Sequence, residues 1–254
     1  MKRSILFLAG ALLLLPLFGC ALGTDHVKIS YKPDTPRQKT GDGQVIYLAK
    51  AFNNRTTSGM AGMKRNSYGV VTGAPNGYIV YYDKSFARDV RPIPGLVGVK
   101  RNYGGAVMGQ VALVDGQTIE GVVATAIADT LKCHNFIIKD VEELKNDYDA
   151  GKDARILYPR ISNFWCDFFP GLLLIDVVSC VSVEMNIKIN DTGRSVYKKE
   201  FSECAKCSGI AATESLFDES MNKGFKAAMD DFGQAVSSPD FKKALTSATT
   251  APAE

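Results

Sequence analysis

Apolar positions in this chain recur with two periods. Val181, Val183, Met185, Ile187 and Ile189 alternate with Cys180, Ser182, Glu184, Asn186 and Lys188. A period of two puts one set on a buried face of a strand and the other on a wet face. That strand is expected over Leu172–Ile189. Asn190-Asp191-Thr192-Gly193 then forms a hairpin turn in which Gly193 takes positive φ, and Arg194–Ser202 returns as the partner strand. Elsewhere the period becomes helical. Leu216, Phe217, Met221, Phe225, Met229 and Phe232 form one stripe and predict a helix over Thr213–Ala235. Ile119, Val122, Val123, Ile127 and Leu131 predict another over Gln117–Lys132, with Asp115 as its N-cap.

Further strands are expected at Val27–Tyr31, Val45–Phe52, Tyr78–Tyr82, Phe136–Ile138 and Arg155–Cys166. Asp167-Phe168-Phe169-Pro170-Gly171 reads as a turn. The glycine-rich stretch 58–77 reads as a loop, and 97–109 as a glycine-rich segment with isolated strand formers. Asp140 caps a brief acidic helix, Ser238-Pro239 opens a short last one, and residues 246–254 read as a disordered tail. The expected fold class is α+β, a mainly antiparallel sheet with two main helices packed on one face. One domain is expected over residues 44–245, preceded by a tether with a short strand over residues 20–43.

The first twenty residues follow neither period. Met1-Lys2-Arg3 is followed by an apolar run from Ile5 to Leu17 and then by Phe18-Gly19-Cys20. Cations, an apolar core and a small residue are the layout of a secretory signal peptide over residues 1–19. Thirteen apolar residues are too few to span a bilayer comfortably. No later stretch reaches about eighteen consecutive apolar residues.

Leu17-Phe18-Gly19-Cys20 resembles the lipobox of bacterial lipoproteins. The resemblance implies cleavage before Cys20 and acylation of that residue, palmitate included. It further implies that Ala21, standing where Asp retains inner-membrane lipoproteins, sends the protein to the outer membrane, facing the periplasm. In a cell with no outer membrane the anchor would be in the cell membrane. The formal charge of +3 includes Lys2 and Arg3, so the processed chain is nearly neutral. That balance gives no argument for a nucleic-acid partner.

The order of elements resembles the YajG-type family of envelope lipoproteins. Val45–Phe52 runs into Asn53-Asn54-Arg55, with Asn53 where that family has Asp. Gly98-Val99-Lys100-Arg101-Asn102-Tyr103-Gly104 resembles its basic glycine loop, and Asp230-Asp231-Phe232 the end of its last helix. The resemblance implies a fold and an envelope location, and carries over no catalytic residue.

The candidate chemistry is sparse. Five cysteines remain after Cys20, an odd number, in a compartment that permits disulfides. Pairing Ile189 with Ser195 in the hairpin sets Cys180 opposite Cys204, and Cys204–Cys207 is the competing disulfide. Cys204-Ala205-Lys206-Cys207 has the spacing of a redox pair, but Ser208-Gly209 separates it from the helix that would activate it. A zinc site from Cys166, Cys180, Cys204 and Cys207 lacks short paired spacing in its first half. The histidines His26 and His134 give no nucleophile partner; His134, ending a helix, suits capping or packing. No phosphate-binding or dinucleotide motif is present. The acidic run Asp140, Glu142, Glu143, Asp147, Asp149 lacks the glycine and terminal Glu of a calcium loop. Neither a metal nor another cofactor is expected, and no catalytic residue is assigned.

Phe164–Leu172 is denser in aromatics than a turn requires. Phe168 and Phe169 are therefore candidates for docking a partner or the membrane leaflet, with core packing as the alternative. The expectation is a lipid-anchored, non-catalytic assembly or accessory factor that binds an envelope protein. The alternatives are a ligand-binding or transport-auxiliary lipoprotein with glycine-rich loops lining the site, and a thiol oxidoreductase using Cys204 and Cys207.

Overall fold

The computed structural model describes residues 23–36, 39–55, 64–65, 70–72, 80–81, 95–101, 107–146, 151, 153–170, 174–210 and 213–246. Its strands are β1 (Gly23–Val27), β2 (Val45–Leu48), β3 (Phe52–Asn53), β4 (Lys64–Arg65), β5 (Val70–Thr72), β6 (Val80–Tyr81), β7 (Leu96–Arg101), β8 (Val107–Leu113), β9 (Ile137–Asp140), β10 (Arg155–Pro170), β11 (Ile175–Ile189) and β12 (Ser195–Gly209). The helices are α1 (Ile119–Cys133), α2 (Glu214–Val236) and α3 (Pro239–Thr246), with a 3₁₀ turn over Val141–Asn146.

Nine strands form one sheet along the order β1-β8-β7-β10-β11-β12, with β2 and β3 also pairing with β10 and β9 pairing with β2. The sheet is mixed, which corrects the expectation of a mainly antiparallel one. β10–β11, β11–β12 and β7–β8 are antiparallel. β1–β8, β2–β10, β3–β10, β7–β10 and β2–β9 are parallel. Alternation shows which face of a strand is buried. It does not show the direction of the neighbouring strand. β4, β5 and β6 form a separate antiparallel sheet; β4 and β5 occur where a loop was expected, and β6 lies within the expected strand Tyr78–Tyr82.

The long hairpin follows the expected geometry. Gly193 sits at φ +62° and its N–H donates to Ile189 O at 2.9 Å. The expected Ile189–Ser195 pair is not made: Lys188 faces Ser195, and a bulge at Ile187/Lys188 restores the register, so that Ile187 faces Tyr197 and Cys180 faces Cys204. β10 continues through Asp167, Phe168 and Phe169 to Pro170, where a turn was expected. Asp167 is 2 % exposed and sits in register between Val99 and Val178.

Glycine in 97–109 serves close approach. A side chain on Gly98 would meet Cys166 Sγ at 2.3 Å, so β7 can lie beside β10 only with glycine there.

α1 starts three residues later than Asp115 suggested. Thr118 is its cap, and Thr118 Oγ1 accepts the Gly121 N–H at 3.0 Å. α2 buries Leu216, Phe217, Met221, Phe225, Met229 and Phe232 against the sheet, on the face carrying Val177, Val181, Val183, Met185 and Ile187. Gly224 lets the helix sit close, since a side chain there would stand 3.3 Å from Ser179 O. Ser179 Oγ donates to Ser220 Oγ at 2.8 Å, and Ser220 Oγ donates to Val177 O at 3.1 Å, so these buried hydroxyls are satisfied. The opposite face was expected to be wet. Around Val178, Cys180 and Cys204 it forms a second buried cluster instead.

Residues 23–36 belong to the folded unit rather than to a tether. Val27 is fully buried and Ile29 is 3 % exposed. As a sheet edge, β1 and its continuation turn alternate N–H groups away from β8. His26 N–H donates to Glu214 Oε1 at 3.2 Å, Lys28 N–H to Asp218 Oδ1 at 2.8 Å, and Ser30 N–H to Asn222 Oδ1 at 2.8 Å. Four residues of helix rise about 6 Å, and two residues of strand advance about 6.6 Å. α2 therefore presents an acceptor to three successive outward donors, at His26, Lys28 and Ser30, and covers that stretch of the edge.

Candidate functional site

Cys180 and Cys204 are directly opposed on β11 and β12, with Cα atoms 4.1 Å apart, and are joined by a disulfide. Cys207 lies three residues after Cys204 on the same strand, so it faces the other side of the sheet. It joins the core cluster beneath α2, where burial, reinforced by the charge of Glu219, pushes its thiol up. Cys204–Cys207 is therefore not a dithiol pair. Cys166 also belongs to that core cluster, and burial raises its thiol well above the ordinary range. The four cysteines considered for zinc thus lie on opposite faces. Among the described residues no group of three or more His, Cys, Asp or Glu converges to hold a metal. The loop closed by Cys180–Cys204 spans 24 residues. Cys180→Ser with Cys204→Ser is expected to cost about 3 kcal/mol, read as a lower midpoint in chemical denaturation under non-reducing conditions.

Phe168 is 4 % exposed, and its ring centroid lies 6.3 Å from that of Phe217 on α2. It is a core residue, which corrects its candidacy for partner docking. The parity of β10 explains this: Phe164, Cys166 and Phe168 all point to the helix side. The Phe169 side chain and Cys20 lie outside what the structure describes.

Arg55, in the corner that follows β3, was not singled out as a site residue. It ties three strands together. Its guanidinium donates to Phe164 O at 2.7 Å, Leu96 O at 3.2 Å and Asn53 Oδ1 at 3.1 Å. Asn53 Nδ2 in turn donates to Glu120 Oε1 at 2.8 Å. Burial pulls the Arg55 guanidinium down to about 10, opposed by the charge of Glu120, and it stays charged at neutral pH. The fork geometry of arginine suits two carbonyls and an amide at once, so this corner is structural. Asp140 is likewise local: its carboxylate accepts the Glu142 N–H at 2.8 Å, and Glu143 Oε1 accepts the Asp140 N–H at 2.9 Å.

His134 ends α1 and is 4 % exposed. Its Nδ1 lies 3.1 Å from Thr40 Oγ1, and its carbonyl accepts the N–H groups of Thr40 and Gly41. It borders a cleft of about 450 Å³ lined by Tyr31, Asp34, Thr130, Asp230 and Gln234, where Tyr31 Oη donates to Asp230 Oδ1 at 3.2 Å. Burial holds the imidazole below its ordinary value. The unfolded chain therefore takes up a proton first as pH falls through about 6.5, and stability is lost in that direction. Between about pH 7 and 5, wild type is expected to lose more stability than His134→Gln, by less than the ~1.4 kcal/mol per pH unit of one full proton. Parallel melting curves across that range check it.

The layer between α2, α3 and the sheet is filled by Phe164, Phe201, Phe217, Phe225, Phe232 and Phe241, all at most 2 % exposed. The clefts among the described residues run along its outside. Among the described residues, exposed large aliphatic and phenylalanine side chains gather toward two ends of the sheet. Phe52 (61 %), Ile137 (49 %) and Val45 (36 %) lie toward the end of the sheet where β10 begins; Leu174 (50 %) and Ile210 (79 %) lie where β10 ends. Val45 and Ile137 are register partners, and among the described residues β9 pairs only with β2.

No protein-family model matches the chain, and no curated protein does. Solved structures align with the chain at low scores. A Helicobacter pylori homologue of neuraminyllactose-binding hemagglutinin aligns over 86 % of this chain and 97 % of its own, at 6 % identity and a TM-score of 0.44. A Xanthomonas campestris protein of the DUF330 family aligns over 83 % and 91 %, at 8 % identity and 0.42. Lipoprotein GNA1162 from Neisseria meningitidis aligns over 69 % and 91 %, at 12 % identity and 0.23. No match to the YajG-type family is found. Likeness at these scores carries no function across. No helix among the described residues is long and apolar enough to cross a membrane.

Proposed function

We propose that this chain is a lipid-anchored envelope lipoprotein whose domain serves a protein partner without catalysing a reaction. The anchor is assigned to Cys20, at the end of the apolar run Ile5–Leu17, and Ala21 favours the outer membrane with the domain facing the periplasm. The observation that carries the partner role is the β9 edge, which among the described residues pairs only with β2 and where Val45 and Ile137 are exposed side by side; Phe52, on the separate strand β3, is exposed as well. An unpaired edge with exposed apolar side chains is a template for added chain, and β1 shows how this fold covers a stretch of its other edge.

The thiol reading has lost its chemistry, because Cys204 is held by Cys180 and Cys207 is buried on the other face. A ligand reading would need an apolar pocket between helix and sheet, and phenylalanines occupy that layer.

Photocrosslinkers at Phe52 and Ile137 in intact cells, followed by mass spectrometry, test the proposal. It predicts that both positions capture one and the same envelope protein, and that a probe at Lys198 on the hairpin does not. Capture from Lys198 alone, or no protein adduct from any position, would reject it.

A further inference from the structure

The end of the sheet that carries the N-terminus also carries an exposed apolar pair. Register links the two across four strands. Gly23 on β1 faces Gly109 on β8, Gly109 faces Lys100 on β7, and the preceding β7 residue, Val99, faces Asp167 on β10. Gly23 is therefore level with Phe168, two residues before β10 ends. β11 starts and β12 finishes at that same end, where Ile175 faces Gly209. Leu174 precedes that last pair and Ile210 follows it, at 50 % and 79 % exposure. Glu214, four residues after Ile210, accepts the His26 N–H of β1, which places Ile210 within about 14 Å of that contact.

Chain length now decides what can meet this end. Cys20 is three residues before Gly23. Three residues reach at most about 11 Å when fully extended. A lipid on Cys20 would therefore hold this end of the sheet within about one headgroup layer of the acyl chains, and no long tether would let it turn away. Two charge pairs lie just inside the tip: Lys206 Nζ is 2.6 Å from Asp176 Oδ2, and Lys100 Nζ is 3.1 Å from Asp25 Oδ1. Charges paired in this way approach the headgroup region at less cost than lone ones.

The geometry points to a second membrane contact, in which Leu174 and Ile210 sit in the interface beside the anchor and stand the domain upright on the bilayer. This rests on lipid attachment at Cys20. Upright, β10 carries the β9 edge away from the membrane. Phe52 faces Arg160, eight residues from Phe168, which is about 26 Å along the strand.

The test uses the full lipidated protein, purified from membranes and reconstituted into phosphatidylethanolamine–phosphatidylglycerol vesicles whose acyl chains carry bromine. Ile210→Trp and Leu174→Trp are compared with Ile137→Trp, each keeping the buried Trp165. Flotation reports the anchor, and quenching of the added tryptophan emission reports the tip. The expected result is flotation of all three, with about half of the added emission lost at 210 and 174, as for side chains buried at the headgroup–acyl boundary, and none lost at 137. Leu174→Trp carries the result should Ile210→Trp fail to fold. Flotation with equal emission at all three positions overturns the second contact and leaves the anchor standing. Failure to float overturns both.

Discussion

Phe225→Ala is expected to lower the unfolding free energy by about 4 kcal/mol. Phe225 is fully buried, and its ring meets Tyr31 at 6.0 Å and Phe164 at 5.6 Å between centroids. It thus joins the N-terminal segment, the central strand β10 and α2 at one point. Truncation removes contacts with all three and leaves a cavity that cannot close easily. One wall is strand backbone, and Gly224 already brings the helix as near as Ser179 O allows. In a chain of this size each kcal/mol moves the midpoint by about 2–4 °C, so a drop of about 8–16 °C is expected. Phe225→Leu keeps most of the volume and is expected to lose less than about 1.5 kcal/mol. Equal losses from the two variants would show that the cavity is not the cause.

Cys20→Ala is expected to move the protein out of the membrane altogether. At roughly 0.8 kcal/mol per buried methylene, one long acyl chain holds a protein only marginally, and two or more hold it stably. Two exposed side chains at the tip, Leu174 and Ile210, supply far less: about 1.5–3 kcal/mol each even when fully buried. Exported behind a secretory leader whose cleavage leaves no lipid, the variant is expected in the aqueous phase of a detergent partition, with wild type in the detergent phase. Retention of the variant with detergent would mean that the domain itself is the anchor.

Much of the fold was legible where one residue reports on its own surroundings. The alternation over 181–189, the Gly193 turn and the α2 stripe all fall where the pattern put them, because burial of a face depends on local period. Cys180 stands opposite Cys204 as expected, but not through the expected Ile189–Ser195 pair: Lys188 faces Ser195, and the bulge after Ile187, which the sequence did not reveal, restores the register. The parallel pairings were not legible, since a strand's period is the same whichever way its neighbour runs. Gly98 fell in a segment read only as glycine-rich with isolated strand formers, whereas it lies within β7 and admits Cys166. Asp167 was taken as the start of a turn because Pro170-Gly171 follow it closely, yet it sits inside β10. The docking of β1 left one readable trace, acceptors at Glu214, Asp218 and Asn222 spaced by four along α2, matching donors spaced by two. Of the site candidates, Phe168 failed by parity: a strand continuing from Phe164 had to turn it inward.

The most direct test is the mass of the N-terminal peptide from protein extracted from the membranes of its own cells. A first residue of Cys20, heavier by a lipid-linked group with long acyl chains, is the predicted result. A chain that starts at Met1, or one that carries Cys20 as an unmodified thiol, would contradict it and remove the basis for placing this domain at a membrane surface.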